Sequence, residues 1–186
     1  MKYIIITLCI LLTGCITNTK YSITDDYARG LRWFERGSFN EAIRIWQPLV
    51  KKEDCDAEYR MGLMHFGALG TPQSFDTAHK LWVKAANGNQ QRAQWALGDL
   101  YYQNESAVYH HCTKTPTCHT KKDLNEAYFW YKLFEKSAKY ASERKYLDHI
   151  LPKISSELSD KEKSEIEAKV NKWKPTPKDC GSRNMW

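Results

Sequence analysis

The densest set of chemically capable side chains lies between residues 110 and 119, where His110-His111-Cys112 is followed by Cys118-His119. Imidazole and thiolate are ligands for zinc or copper. Two thiols separated by five residues can instead close a disulfide loop. The two-residue cysteine spacing of a zinc finger is missing, so the disulfide is preferred and neither a metal nor a cofactor is expected. Nucleophilic and metallopeptidase chemistry has no motif to carry it, since G-x-S-x-G and H-E-x-x-H do not occur. The carboxylates are numerous but read as solvated helix faces. His65 and His79 stand alone inside helical stretches, and His65 reads as a packed core residue. The chain is expected not to be an enzyme.

What the cysteines do depends on compartment. Lys2 precedes a nine-residue apolar run, Ile4 to Leu12, too short to span a bilayer as a permanent helix. Leu12-Thr13-Gly14-Cys15 then resembles a bacterial lipobox. That resemblance implies cleavage before Cys15 and lipidation of Cys15. Residues 1–14 would be a lipoprotein signal peptide and 15–23 an anchor linker. Ile16 stands where an inner-membrane retention Asp would sit, which implies a protein held at the outer membrane by its lipid and facing the periplasm. Disulfides persist in that oxidising space. Cys55, Cys112, Cys118 and Cys180 remain in the mature chain, and four thiols permit three pairings. The short spacing makes Cys112–Cys118 with Cys55–Cys180 the first choice, the second bridge tying down the C-terminal tail.

Charge narrows the partners. The formal net charge is +6, and +5 once Lys2 leaves with the signal. Lys51-Lys52, Lys121-Lys122 and the lysines from 161 to 174 are interleaved with acids or apolar residues. A nucleic-acid-binding protein needs a concentrated basic face, so no nucleic-acid partner is expected.

The rest of the chain is organised as repeats. Residues 57–66 (AEYRMGLMHF) align without a gap on residues 93–102 (AQWALGDLYY), an offset of 36 residues. Offsets of this size mark helical solenoids. Second helical stretches follow, 75–87 with Ala78, Trp82, Ala85 and Ala86, and 123–140 with Ala127, Trp130, Tyr131 and Ala138. Residues 57–88 resemble the Sel-one-like repeat, a relative of the tetratricopeptide repeat, at Ala57, Met61-Gly62, Gly70, Pro72-Gln73, Asp76, Ala78, Trp82, Ala85-Ala86 and Gly88. His65 and Ala68 depart from that family's Tyr and Gly. A third repeat matches at Ala93, Leu97-Gly98, Tyr101, Ala127 and Trp130-Tyr131, with about a dozen extra residues between its helices. A first matches the tetratricopeptide form at Gly30, Trp33, Gly37, Phe39 and Ala42. The resemblance implies an all-α fold, an α-solenoid of antiparallel helix pairs. Three repeats occupy 24–140, capping helices follow at 141–174, and 175–186 is a tail. Pro152 should kink the first capping helix, and Ser159 with Glu162 reads as a capping box for the last.

Two faces of the first helices carry different messages. Ala57, Met61, Met64 and Ala68 form one stripe, as do Ala93, Leu97 and Leu100, which should pack on the preceding repeat. In the first repeat that stripe is Asp25, Arg29, Arg32 and Arg36, as suits an end with no neighbour. The other face repeats an aromatic pair seven residues apart: Tyr27 and Phe34, Tyr59 and Phe66, Trp95 and Tyr102. Leu31, Leu63 and Asp99 lie between them. In the related tetratricopeptide fold these positions line a concave surface, so the resemblance implies an aromatic groove that holds a protein partner. The alternative is that these rings are core.

Three functions suit such a chain. The leading one is an immunity protein that binds and neutralises a secreted antibacterial toxin, such as a phospholipase effector. A general envelope scaffold or assembly factor is the second. A β-lactam-binding enzyme is the third, weakened because related cysteine-rich chains carry a regular Cys pair in every repeat. The anchor is testable at once. Cys15→Ala should release the mature domain from the membrane or leave the signal uncut, and unchanged membrane fractionation would remove the lipoprotein expectation.

Overall fold

Apolar side chains recur every three to four positions along most of the chain, and helices form where they do. The computed structural model describes residues 23–102, 122–178 and 180. Among them α1 spans Ile23–Glu35, α2 Phe39–Lys51, α3 Cys55–Gly67, α4 Phe75–Asn87, α5 Gln91–Tyr102 and α6 Leu124–Ser137. Two further helices follow, α7 at Ala141–Glu157 and α8 at Asp160–Lys172. The helices pair as α1 with α2, α3 with α4 and α5 with α6. α2 packs on α3, α4 on α5, and both α7 and α8 on α6. This is an all-α solenoid of three hairpins closed by two capping helices.

Caps written into the sequence start most of these helices. Asp54 accepts the Ala57 amide at 2.9 Å, Ser74 accepts that of Thr77 at 3.2 Å, and Asp123 accepts those of Asn125 and Glu126 at 3.0 Å each. Gln90 caps α5 through Ala93 N at 2.8 Å while its amide donates to buried Asp56 at 3.2 Å. Ser159 and Glu162 exchange reciprocal bonds at the start of α8. Ala68 ends α3 in the left-handed region at φ 54°, which explains why the repeat pattern calls for glycine there. α7 continues through Pro152 to Glu157.

Each hairpin closes through a ring laid on a glycine. A Cβ on Gly30 would stand 2.3 Å from the Trp46 indole nitrogen, and one on Gly62 would stand 2.4 Å from that of Trp82. In the third hairpin a Cβ on Gly98 would stand 2.7 Å from the Tyr131 ring. Trp46 donates to the Tyr27 carbonyl and Trp82 to the Tyr59 carbonyl, both at 3.2 Å. The alanine four positions before each ring, Ala42, Ala78 and Ala127, is fully buried. Tyr131 rather than Trp130 therefore takes the place of Trp46 and Trp82.

The inter-repeat stripes pack as their pattern requires except at Ala68, expected on the stripe but exposed because α3 ends there in a left-handed turn. Ala57, Met61 and Met64 join the core of α1 and α2, while Ala93, Leu97 and Leu100 join a second core running from α3 into the caps. Arg29 pairs with Asp26 at 2.8 Å, and Arg32 and Arg36 are exposed at the end where, among the described residues, no helix precedes α1.

The chain after α8 does not trail away. Thr176 donates its amide to the Asn87 carbonyl at 2.8 Å, and Lys178 Nζ lies 3.4 Å from Glu58 with both side chains buried. Cys180 is disulfide-bonded to Cys55, with Cα atoms 4.9 Å apart across 125 residues. A Cβ on Gly88 would collide with both sulfurs, at 2.1 and 2.3 Å. The segment expected to be a tail is, through residue 180, a strap across the second repeat. Burial pushes the Glu58 carboxyl up, and the Lys178 ammonium opposes that shift.

Replacing Gly62 with Ala forces the Trp82 ring off its seat and should cost about 1–3 kcal/mol or more of stability. Gly37, at φ 73° with nothing within 4 Å of the place a methyl group would take, offers the control. Gly37→Ala should cost only about 1 kcal/mol of backbone strain. Urea unfolding of both variants checks this, and equal losses would remove the ring-on-glycine contact from its central place.

Candidate partner-binding surface

Tyr27, Tyr59 and Phe66, expected on the groove, are core residues, 2%, 8% and 6% exposed. Their seven-residue spacing does hold them on one side of the first helices, but that side also reaches the rings of the second helices. Tyr27 stacks on Trp46 with centroids 5.8 Å apart, and Phe66 lies 5.2 Å from Phe75 and 5.4 Å from Trp82. They surround the ring seats. Phe34, 5.8 Å from Trp46 and 5.5 Å from Phe39, is half-buried, as are Leu31, Leu63 and Tyr102. Lys122 stands over the Tyr102 ring at 5.7 Å.

Asp99, expected as a charged contact for a partner, is also buried. Its carboxylate accepts from the Tyr131 hydroxyl and, at 2.5 Å, from the Tyr146 hydroxyl. The two tyrosine oxygens are 3.0 Å apart. Burial and the adjacent carboxylate push the Tyr131 phenol far up, so it stays a neutral donor. Tyr146 belongs to α7, so the capping helix closes over the third repeat at the position expected to be open. The period of Tyr146, Leu147, Ile150 and Ile154 carries that signal in a stretch otherwise rich in Lys and Glu.

Trp95 remains accessible. It is 39% exposed, the exposed large apolar side chain among the described residues, stacked on Phe134 at 6.2 Å and edge-on to Tyr146 at 5.6 Å. It occupies the place of Tyr27 and Tyr59 one repeat further on, but Tyr131 replaces the Trp below it. One repeat earlier, on α3, is Arg60, a residue the sequence pattern passes over. Arg60 Nε donates to the Tyr27 hydroxyl at 3.1 Å, and its guanidinium lies 5.6 Å from the Phe34 ring centre and 5.9 Å from that of Tyr59. Burial pushes the Tyr27 phenol up to about 12, against the opposing pull of Arg60, so a neutral oxygen holds the guanidinium.

The histidines inside the repeats are structural. His79 Nε2 is 2.7 Å from the Tyr101 hydroxyl, and burial lowers its pKa. His65 is half-buried with Nδ1 enclosed. Among the described residues no three His, Cys, Asp or Glu side chains are grouped to hold a metal, and no helix is long and apolar enough to cross a membrane. Cys15, Cys112, Cys118, His110, His111 and His119 lie outside the described residues.

Stacked hairpins with small residues under aromatic rings define an α-solenoid repeat protein. The chain belongs to the Sel1 repeat family, whose pattern matches residues 21–38, 55–90, 91–108 and 117–138. The match at 55–90 spans α3 and α4 whole, while the structure carries the first repeat beyond residue 38 through α2 and Trp46. Sel1 repeats indicate a protein–protein interaction module. No curated protein and no solved structure matches the chain.

The division between core and surface rings is measurable by stability. Tyr59→Ala should cost about 3–5 kcal/mol, and Trp95→Ala less than half as much because more than a third of that side chain is already in water. Thermal melts of the two variants decide it, and equal losses would mean that Trp95 is core.

Proposed function

We propose that the protein is a lipid-anchored binding module facing the periplasm, which neutralises a secreted antibacterial toxin, such as a phospholipase effector, by holding it rather than by catalysis. The observation that carries the reading is Trp95, left in water one repeat from an arginine clamped by aromatic rings, in a family of interaction modules. Trp, Tyr and Arg dominate the energetics of protein interfaces. The Leu12-Thr13-Gly14-Cys15 sequence supports the anchor, and a Cys55–Cys180 bridge suits an oxidising compartment.

The test pairs the protein with a phospholipase effector encoded beside its gene. Cells exporting that effector should survive with the protein and lyse without it, and the purified pair should form a complex that stops lipid hydrolysis. Trp95→Ala should weaken that complex by about 2 kcal/mol. Survival independent of the protein rejects the immunity function. So does association with several resident envelope proteins together with a deletion defect in the absence of any toxin, the outcome that marks a scaffold.

A further inference from the structure

Arg60 is held more tightly than a surface arginine needs to be. Its Nε is fixed by the Tyr27 hydroxyl at 3.1 Å, and its guanidinium carbon lies 5.6 Å from the Phe34 ring centre and 5.9 Å from that of Tyr59. The hydrogen bond uses Nε alone. Among the described residues Nη1 and Nη2 carry no hydrogen bond. A guanidinium with its outer edge unspent and its rotamer already set is a fork for a carboxylate. Ordering such a side chain normally subtracts from binding, and here that cost has been met in folding.

The charges around it give the fork its sign. Asp56 and Asp99 are buried, the first accepting from Gln90 and the second from Tyr131 and Tyr146. The charge offered to a partner is therefore that of Arg60 itself, with its outer edge unspent, in a chain with a net charge of +6. Trp95, 36 residues beyond Tyr59 and so in the equivalent place of the next repeat, adds an apolar anchor on the same face.

We propose that Arg60, held by the Tyr27 hydroxyl beside the Phe34 and Tyr59 rings and one repeat from Trp95, is the docking point for an acidic segment of a protein partner, with one carboxylate seated on the guanidinium and an apolar side chain against the indole. This rests on the reading of the protein as a binding module and names the chemistry of what it binds. A carboxylate paired with a half-buried guanidinium whose position is already fixed makes a stronger contact than an open surface ion pair.

The test is fluorescence anisotropy with the full-length protein in detergent and two end-capped labelled peptides. One is built of Asp and Glu around a single Trp, and the other is its Asn and Gln counterpart. The acidic peptide should bind at least about tenfold more tightly than the neutral one. Arg60→Gln should abolish that preference, and Arg60→Lys should retain only part of it, since a lysine keeps the charge without the flat fork. If Arg60→Gln fails to fold, Tyr27→Phe removes the clamp on Nε and keeps the ring, and should weaken acidic-peptide binding while leaving the neutral peptide unchanged. The proposal is overturned by equal binding of the two peptides, by no binding of the acidic one, by an unchanged preference in Arg60→Gln, or by tighter binding of a single-stranded oligonucleotide. Failure here with toxin protection intact removes only this docking point. Loss of toxin protection with the acidic preference intact removes only the immunity function.

Discussion

A ring pressed onto the bare backbone of a facing helix is the contact on which the other contacts depend. Gly30, Gly62 and Gly98 each lie where a methyl group would collide with Trp46, Trp82 or Tyr131. Removing the side chain lets two helices approach until one aromatic plane fills the gap, and dense packing of that kind leaves little freedom in the crossing. In the first two hairpins the indole also donates to a carbonyl of the opposite helix, at Tyr27 and Tyr59. The hydrogen bond fixes the axial offset that packing alone leaves loose. One hairpin cannot bury its apolar stripe by itself, so once the seats set the pairs, stacking follows.

The third hairpin changes one residue in this scheme, and the cap follows from the change. Tyr131 sits on Gly98 but has no indole nitrogen to give to a backbone carbonyl. Its hydroxyl instead reaches Asp99, where it meets Tyr146 from α7. A buried carboxylate accepting from two phenols has its charge engaged, and the phenols have an acceptor, so no member is left to bear an unpaired burial cost. The seat that elsewhere locks a hairpin here recruits the helix that ends the array. At the other edge the strap from Thr176 to Cys180 ties the end of the fold to its second repeat. It does so through a backbone bond, a buried ion pair and a disulfide. The ion pair alone is not a source of stability, since the desolvation of two charges roughly cancels their attraction. Together with the covalent link, it specifies where the strap lies.

The fold is legible in the sequence because its governing contacts involve residue types that recur at fixed offsets. Glycine, alanine and a large ring in register leave few arrangements other than stacked hairpins. The surface is less legible. A helical wheel says that Tyr59, Phe66 and their equivalents share a side, but a first helix faces both its own second helix and the open face. The wheel cannot divide a ring between them. Tyr27, Tyr59 and Phe66 go to the core because each stands next to a tryptophan seat, and that is a property of the neighbouring helix. Asp99 reads as a surface charge until Tyr131 and Tyr146 are seen to meet it from α6 and α7. Arg60 is passed over for the opposite reason, since a lone arginine in an amphipathic helix reads as solvated. The Cys55–Cys180 pairing already implies a tail tied to the second repeat, but the Thr176 and Lys178 contacts that lay the strap down are not legible, since Pro175 and Pro177 only mark the end of the helices.

On the proposed docking, stability and recognition fall on different atoms of the same aromatic rows. Tyr27 offers its carbonyl to Trp46 and its hydroxyl to Arg60, and Tyr59 offers its carbonyl to Trp82 and its ring to Arg60. The backbone ends of these residues belong to the hairpin seats, and their outer ends shape the accessible face. The spacing between Arg60 and Trp95 is then the spacing between α3 and α5. That spacing is set by α4 packed between the repeats and by the ring on Gly62. In the proposed docking, a partner segment would meet two anchors whose separation does not adjust to it. Such a surface gains affinity from complementarity already present in the free protein and discriminates against segments whose acid and apolar groups are wrongly spaced.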